Sequence, residues 1–143
     1  LLSVREISDY EGQAAMELEA LAHRHGPVSP LADGFHLGDD GVLDLLPLLT
    51  WLADGAEPGA GAACFHATLA LALSEWLRWG GEQTGIQHVA LGGGCFLNRL
   101  LTMQLRARLD AMGWRIFTAQ QAPPNDGGLS LGQAWVAMQA ESI

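Results

Sequence analysis

A run of three glycines, Gly92-Gly93-Gly94, is the part of this sequence best suited to hold a phosphorylated ligand. The run lies between a predicted strand and a predicted helix, where the absence of Cβ atoms lets the backbone approach a phosphate or a ribose. The first N–H groups of the helix would point at such a ligand, and Asn98 in its first turn could add a hydrogen bond. The alternative is a tight turn that packs the helix closely on the strand, with Asn98 facing solvent.

A second candidate is Asp126, which lies just before the last predicted helix. Its carboxylate could bind a hard or borderline cation that carries phosphate oxygens. The alternative is that Asp126 only caps the helix, a role worth about 1 kcal/mol. One carboxylate does not complete a metal site, so the other ligands would have to come from outside this chain.

The histidines and cysteines indicate no further metal or nucleophile site. His23 and His25 are two residues apart and therefore lie on different sides of a helix. His66, on an otherwise apolar helix, is expected to be a core histidine with satisfied hydrogen bonds. Cys95 has no partnering base and is interpreted as a small apolar residue. We find no zinc signature, Walker loop or nucleophile elbow.

Hydrophobic periodicity predicts the elements of the first half of the chain. A helix is expected from Glu11 to about His25, because the apolar residues Ala14, Ala15, Leu18, Leu21 and Ala22 recur at helical spacing and Gly26-Pro27 ends the run. A β-hairpin is expected to turn at Gly38–Gly41 and to join a sheet elsewhere. Two helices follow at Leu46–Ala53 and from Ala60 to about Trp79, the second with a buried stripe of Phe65, Leu69, Leu73 and Trp76.

The second half of the chain reads as a β-turn-α-β unit. Strands are predicted at His88–Leu91 and Trp114–Phe117, around a helix from Phe96 to Met112, and a last helix runs from about Gly128 to Gln139. Such units place parallel strands side by side, with ligands at their carboxyl ends.

Length and composition limit the class of protein. At 143 residues, the chain has the size of one domain or lobe. The formal charge of -9 argues against binding a nucleic-acid backbone. With only Cys64 and Cys95, no leader and no apolar run of about 20 residues, we expect a cytoplasmic protein that does not bind membranes. The start at Leu1-Leu2, without Met, suggests a piece of a longer chain.

Four segments carry distinctive residue combinations. They are Tyr10-Glu11-Gly12-Gln13-Ala14-Ala15-Met16-Glu17-Leu18-Glu19, then Phe65-His66 with Leu69-Ala70, then Leu91-Gly92-Gly93-Gly94-Cys95-Phe96-Leu97-Asn98-Arg99-Leu100-Leu101, and Pro123-Pro124-Asn125-Asp126-Gly127-Gly128-Leu129-Ser130-Leu131-Gly132-Gln133-Ala134. Together and in this order they resemble markers of the [NiFe]-hydrogenase maturation carbamoyltransferases, the HypF family. The resemblance spans nearly the whole chain and is far more specific than any one motif.

The resemblance implies an α/β fold, one lobe of the actin and sugar-kinase (ASKHA) ATPase fold, with a small mixed sheet flanked by helices and a β-hairpin. Residues 1–143 would form this single lobe, the C-terminal half of the last, Kae-like domain. In this family carbamoyl phosphate and ATP yield carbamoyl-adenylate, and the carbamoyl group passes to the C-terminal cysteine of a HypE-like acceptor protein. That step leads to the cyanide ligand of the hydrogenase iron.

The resemblance also implies site residues. Asp126 would bind a divalent metal (Fe, Zn or Mg), completed by two histidines of the preceding lobe that have no counterpart here. We therefore expect the isolated chain to catalyse little. The nucleotide would be contacted by Gly92, Gly93, Gly94 and Asn98, and its ribose by Glu11 or Glu19.

Two alternative functions stay open. One is carbamoyl transfer to an oxygen or nitrogen acceptor, as in the related families that act on tRNA adenosine or on antibiotics. The other is a non-catalytic module that only binds nucleotide or docks a partner.

Overall fold

The computed structural model describes residues 2–140. In chain order the elements are α1 (Gln13–His25), β1 (His36–Leu37), β2 (Leu43–Asp44), α2 (Leu46–Ala53), α3 (Pro58–Thr84), β3 (His88–Leu91), α4 (Arg99–Ala111), β4 (Arg115–Thr118) and α5 (Leu129–Ala140). Short 3-10 helices, Gly94–Leu97 and Asp126–Gly128, precede α4 and α5. The predicted order of elements is confirmed, and α2 and β3 have the predicted bounds.

Helix α3 is the centre of the fold, because both α1 and α4 pack along it. The predicted stripe on this helix is confirmed in part: Phe65 and Leu73 are half-buried and pack against the core clusters, whereas Trp76 is 43% exposed. Small side chains take the buried positions, since they allow neighbouring helices to approach closely. The buried residues are Gly61, Ala62, Ala63, Cys64, His66, Ala67, Thr68, Ala70, Ala72 and Ser74.

By length and composition α3 could also cross a membrane, since an 18-residue window of it has a mean hydropathy of 1.2. In the folded chain 56% of that window is buried inside the protein. Burial on this scale is typical of the central helix of a folded lobe, where α1 and α4 cover the apolar surface.

Helix α1 is confirmed, and three of its five periodic apolar residues, Leu18, Leu21 and Ala22, pack in a core cluster. Ala14 and Ala15 are exposed, whereas Ala22 is buried and Leu18 is half-buried. Gln13 is buried as well, because its side chain accepts a hydrogen bond from the backbone N–H of Asp9 at 2.7 Å. The buried face of α1 is therefore determined by the position of α3 and not by the apolar residues of α1 alone.

The β-hairpin is confirmed as an antiparallel pair, with His36 opposite Asp44. The expectation that it joins a larger sheet is wrong within residues 2–140, where the strands form two separate two-stranded sheets. Tryptophans hold the hairpin on α3 instead: Trp76 donates its indole N–H to the carbonyl of Gly41 at 2.9 Å, and the Trp79 ring lies against the same glycine.

The β-turn-α-β unit is confirmed, with β3 and β4 parallel and Leu91 opposite Thr118 at their carboxyl ends. Helix α4 packs on this pair through Leu105 and Leu109, which are fully buried with Leu91 and Trp114 in a second core cluster. The unit therefore has its own core and holds the glycine turn at the edge where both strands end.

Candidate functional site

The glycine turn and Asp126 lie at the same cavity. The N–H of Gly93 donates to the carbonyl of Pro124 at 2.6 Å, which ties the turn to the loop before α5. An open cavity of about 830 Å³ is lined by Gly93, Asp126, residues 122–125 of the loop before Asp126, and one face of α5. The two segments singled out from the sequence therefore do converge, although 32 residues lie between them along the chain.

Gly93 is the glycine that the turn requires. Its backbone has φ 100° and ψ 162°, a region that is essentially restricted to glycine. Gly92 and Gly94 have no positive φ, and a Cβ added to either would meet no atom within 4 Å. Their open surroundings leave room for a ligand, whereas Gly93 sets the path of the chain.

The backbone amides of the turn are partly free. Within the described chain, the N–H groups of Gly94 and Cys95 have no hydrogen-bond acceptor. The N–H of Phe96 bonds to Gly93 and that of Asn98 to Cys95, at 3.1 and 3.2 Å. Two neighbouring N–H donors thus remain for a ligand oxygen.

The carboxylate of Asp126 is not used as a cap. Asn125 caps the 3-10 turn instead, since its side-chain oxygen accepts from the N–H of Gly127 at 3.2 Å. Among residues 2–140 no group donates a hydrogen bond or forms an ion pair to the carboxylate of Asp126, which is exposed, while its backbone carbonyl accepts from the N–H of Leu129. Gly128 is needed for the tight approach, because a Cβ there would lie 2.7 Å from the carbonyl oxygen of Pro123.

Protein side chains cap two N–H groups at the N-terminus of α4. Asn98 accepts from the N–H of Leu101 at 2.8 Å through its side-chain oxygen. Glu19, brought over from α1, accepts from the N–H of Leu100 at 2.9 Å. These two groups are therefore bonded to protein oxygens, and the expectation that the first N–H groups after the glycines point at a ligand stays a prediction for Gly94 and Cys95.

His66 is confirmed as a satisfied core histidine. It is 1% exposed, and its Nδ1 lies 2.8 Å from the carbonyl oxygen of Ala62. Its Nε2 lies 2.9 Å from the side-chain nitrogen of Asn98. Both ring nitrogens therefore have partners, and the residue links α3 to the start of α4.

The remaining predicted site residue, Glu11, lies outside this arrangement. It precedes α1 in an exposed turn and makes no hydrogen bond or ion pair within the described residues. Gln13, from the same motif, has a structural role at the start of α1. The ribose roles of Glu11 and Glu19, and the nucleotide role of Asn98, stay predictions.

The sequence analysis did not identify one part of the site, a face formed by α5 and the glycine before it. Six residues line the cavity from this side, and they recur at helical spacing: Gly128, Leu129, Gly132, Gln133, Val136 and Ala137. Glycines at two of these positions keep the groove open. This spacing of small residues after Asp126 is the signal that could have revealed the face.

The carboxylates with resolved pKa shifts lie away from the cavity. The guanidinium of Arg5 donates to Glu17 and lowers the pKa of that carboxyl group. The N–H groups of Ala60 and Gly59 lower the pKa of Glu57, which caps α3. These interactions stabilise the first residues of the fold and the start of α3, and they leave the ligand cavity untouched.

The sequence matches one group of known proteins. Residues 1–133 match a family described as carbamoyltransferase, Kae1-like domain, second subdomain. The chain is 43% identical over 165 aligned residues to the carbamoyltransferase HypF2 of Cupriavidus necator, an alignment that covers 97% of this chain and 20% of that protein. It is 45% identical over 143 residues to the carbamoyltransferase HypF of Rhizobium leguminosarum bv. viciae, covering 97% of this chain and 18% of the relative.

The fold matches the same group. A crystal structure of full-length HypF in the phosphate- and nucleotide-bound form aligns with a TM-score of 0.84 and 32% identity, over 97% of this chain and 19% of that one. HypF from T. kodakarensis aligns with a TM-score of 0.81 and 27% identity, over 99% and 18%. This chain therefore spans about a fifth of the length of these relatives.

Proposed function

Because this chain belongs to the HypF carbamoyltransferase family, as the second subdomain of its Kae1-like domain, we propose that it supplies one half of a carbamoyl-transfer site. The ligand is carbamoyl-adenylate, made in the parent enzyme from carbamoyl phosphate and ATP. The observation that supports this best is the shared cavity of Gly93 and the uncapped Asp126. The N–H groups of Gly94 and Cys95, which follow Gly93 directly, have no acceptor among residues 2–140.

In this proposal the N–H groups of Gly94 and Cys95 bind a phosphate oxygen of the adenylate. Backbone amides held in a fixed turn stabilise anionic oxygens without having to reorganise. The proline loop bonded to Gly93 keeps the turn in place, and the α5 groove gives the nucleotide an apolar wall. The chain contributes to catalysis by positioning, not by a nucleophile of its own.

Asp126 would hold a divalent metal in the parent enzyme. Its free carboxylate suits a hard or borderline cation such as Mg²⁺, Zn²⁺ or Fe²⁺. No cluster of three or more histidine, cysteine or acidic side chains within residues 2–140 could hold such an ion. The other ligands must come from another part of the parent protein, where the metal would polarise phosphate or carbamoyl oxygens.

Helix α5 supports the idea of a half-site. Residues 129–139 contain no charged side chain and are all exposed. An uncharged helix that is apolar on all sides is normally buried on all sides. The large exposed side chains of this helix are Leu129, Leu131, Trp135, Val136 and Met138. We propose that the remaining lobe of the parent enzyme covers them and closes the cavity.

The acceptor that fits the family is the C-terminal cysteine thiolate of a HypE-like protein. The thiolate attacks the carbamoyl carbon, a C–S bond forms, and the bond from that carbon to the phosphate oxygen breaks, so that AMP leaves with the bonding electron pair. Membership of the HypF family favours this acceptor over the oxygen or nitrogen acceptors of related families.

The proposal is tested in a chimeric full-length HypF in which this chain replaces the corresponding segment. Asp126→Ala should abolish carbamoyl transfer to the acceptor, measured by mass spectrometry of its C-terminal peptide. Formation of carbamoyl-adenylate, measured by pyrophosphate release, should persist. Asp110→Ala is the matched control, because Asp110 is also exposed but lies on α4, away from the cavity. Normal transfer by the Asp126 variant would remove the metal role.

Calorimetry on the isolated chain distinguishes the half-site from the alternative of a self-sufficient nucleotide module. ATP and AMP should bind weakly or not at all to the chain alone, because one wall of the cavity is open. Tight binding would support the module instead.

A further inference from the structure

We propose that Glu19, Asn98 and His66 form a positioning relay that fixes the glycine turn. The three residues come from three separate motifs and three separate helices, and they meet at the N-terminus of α4. None of them lines the cavity shared by Gly93 and Asp126. The inference rests on the proposed function in one respect: it takes the N–H groups of Gly94 and Cys95 as the groups that bind the ligand.

The hydrogen bonds fix every donor and acceptor in the relay. The carbonyl of Ala62 can only accept, so the Nδ1 of His66, 2.8 Å away, must carry a proton. The N–H of Leu101 can only donate, so the atom of Asn98 that faces it must be the amide oxygen. The NH₂ group of Asn98 therefore faces the Nε2 of His66, which must be unprotonated to accept.

The relay holds the turn because Asn98 is the residue at which the turn becomes the helix. Its N–H bonds back to the carbonyl of Cys95 at 3.2 Å, which closes the 3-10 turn. The hydroxyl of Thr102 donates to the carbonyls of Asn98 and Phe96, at 2.8 and 3.1 Å. The side chain of Asn98 is held by Leu101 and His66 and its backbone by Cys95 and Thr102, so a displacement of Asn98 would move the turn that carries the Gly94 and Cys95 amides.

Glu19 adds an electrostatic restriction. Its carboxylate occupies the positive end of the α4 dipole, where an anion is normally stabilised. A phosphate placed there would meet both a negative charge and N–H groups that are already bonded. Glu19 therefore excludes the ligand phosphate from the helix end and leaves it the neighbouring amides of Gly94 and Cys95.

Nuclear magnetic resonance of the chain tests the relay without any ligand. Long-range ¹H–¹⁵N correlation should show His66 protonated at Nδ1 and unprotonated at Nε2. In Asn98→Asp the cap on Leu101 survives, but an oxygen now faces Nε2, so the Nε2 resonance should move to a protonated position and the amide resonances of Gly94 and Cys95 should shift.

Gln104→Ala is the matched control. Gln104 is another half-buried polar residue of α4, and its side-chain oxygen is buried without a hydrogen-bond partner. Its removal should leave the His66 nitrogens and the turn amides unchanged. A wild-type His66 protonated at Nε2, or unchanged turn amides in Asn98→Asp, would overturn the relay.

A second measurement separates this inference from the proposed function. In the chimeric full-length enzyme, Asn98→Asp should raise the KM for ATP by a larger factor than it lowers kcat, because the turn is displaced while Asp126 is not. Equal KM values for the variant and the wild type would count against the relay. His66 could have the expected tautomer while AMP does not shift the amide resonances of Gly94 and Cys95 in the full-length enzyme. That result would support the relay and contradict the proposed ligand contact.

Discussion

Replacing Gly93 by alanine should destabilise the chain through the backbone alone. The added Cβ would meet no atom within 4 Å, so no steric clash contributes. The cost comes from φ 100° and ψ 162°, a conformation that costs a residue other than glycine about 1–3 kcal/mol. A turn that relaxed to negative φ would lose the 2.6 Å bond to Pro124 instead, at about 1 kcal/mol. Either route gives a loss of about 1–3 kcal/mol.

Gly94→Ala is the matched control for this prediction. Its Cβ also enters open space, but its φ is not positive. Substitution of glycine at a compatible backbone position leaves stability unchanged or raises it by about 0.4–1 kcal/mol, because the unfolded chain loses freedom. The two neighbouring variants therefore differ in backbone strain and not in side-chain contacts.

Urea unfolding followed by tryptophan fluorescence measures the difference. With a typical urea dependence of about 1–3 kcal/mol per M, a loss of 2 kcal/mol lowers the midpoint by about 1 M. Equal midpoints for Gly93→Ala and Gly94→Ala would refute the reasoning that Gly93 alone sets the turn.

Three further predictions concern the stability and association of the chain, and a fourth concerns the ligand site. Leu109→Ala should cost about 2–5 kcal/mol in urea unfolding, because a side chain with 0% exposure leaves a cavity in the second core cluster. Glu57 caps α3, and this lowers the pKa of its carboxyl group from 4.5. The stability that the cap contributes is therefore present above pH 4.5 and is lost as the pH falls through the folded-state pKa. The urea midpoint of Glu57→Ala should lack this decline at acidic pH. Trp135→Lys should reduce self-association of the isolated chain in sedimentation experiments, because it places a charge on an exposed apolar helix. Gly94→Val should weaken nucleotide binding to the full-length chimera without unfolding it. Unchanged affinity in calorimetry would indicate that the glycine turn packs the helix on the strand and does not bind the ligand.

Local patterns of the sequence predicted the order and type of the elements. The strand at β3, the helix α2 and the turn between β1 and β2 depend on neighbouring residues, whose conformational preferences act over a few positions. The cap before α5 was left open by the sequence, which predicted either a cap or a metal ligand for Asp126. Only the folded turn shows that Asn125 takes the cap and leaves Asp126 free.

The buried faces of the helices were harder to predict than the positions of the helices and strands. On α3 the periodic residues Phe65 and Leu73 do pack on the cores, but two helices approach the small residues most closely and leave Trp76 for the hairpin. On α1 the apolar period held for Leu18, Leu21 and Ala22 but not for Ala14 and Ala15, which face solvent. Periodicity defines which residues share a face, but the direction of that face depends on the neighbours.

Residue type and spacing were enough to predict that a glycine turn follows a strand, that an aspartate precedes the last helix, and that the motifs together resemble one enzyme family. Such properties act within one element or one turn. Only the packed chain brings Glu19 and His66 to the start of α4, because α1 and α4 both pack on α3. This packing places residues distant in sequence within hydrogen-bond distance and bonds the N–H groups of Leu100 and Leu101 to protein oxygens.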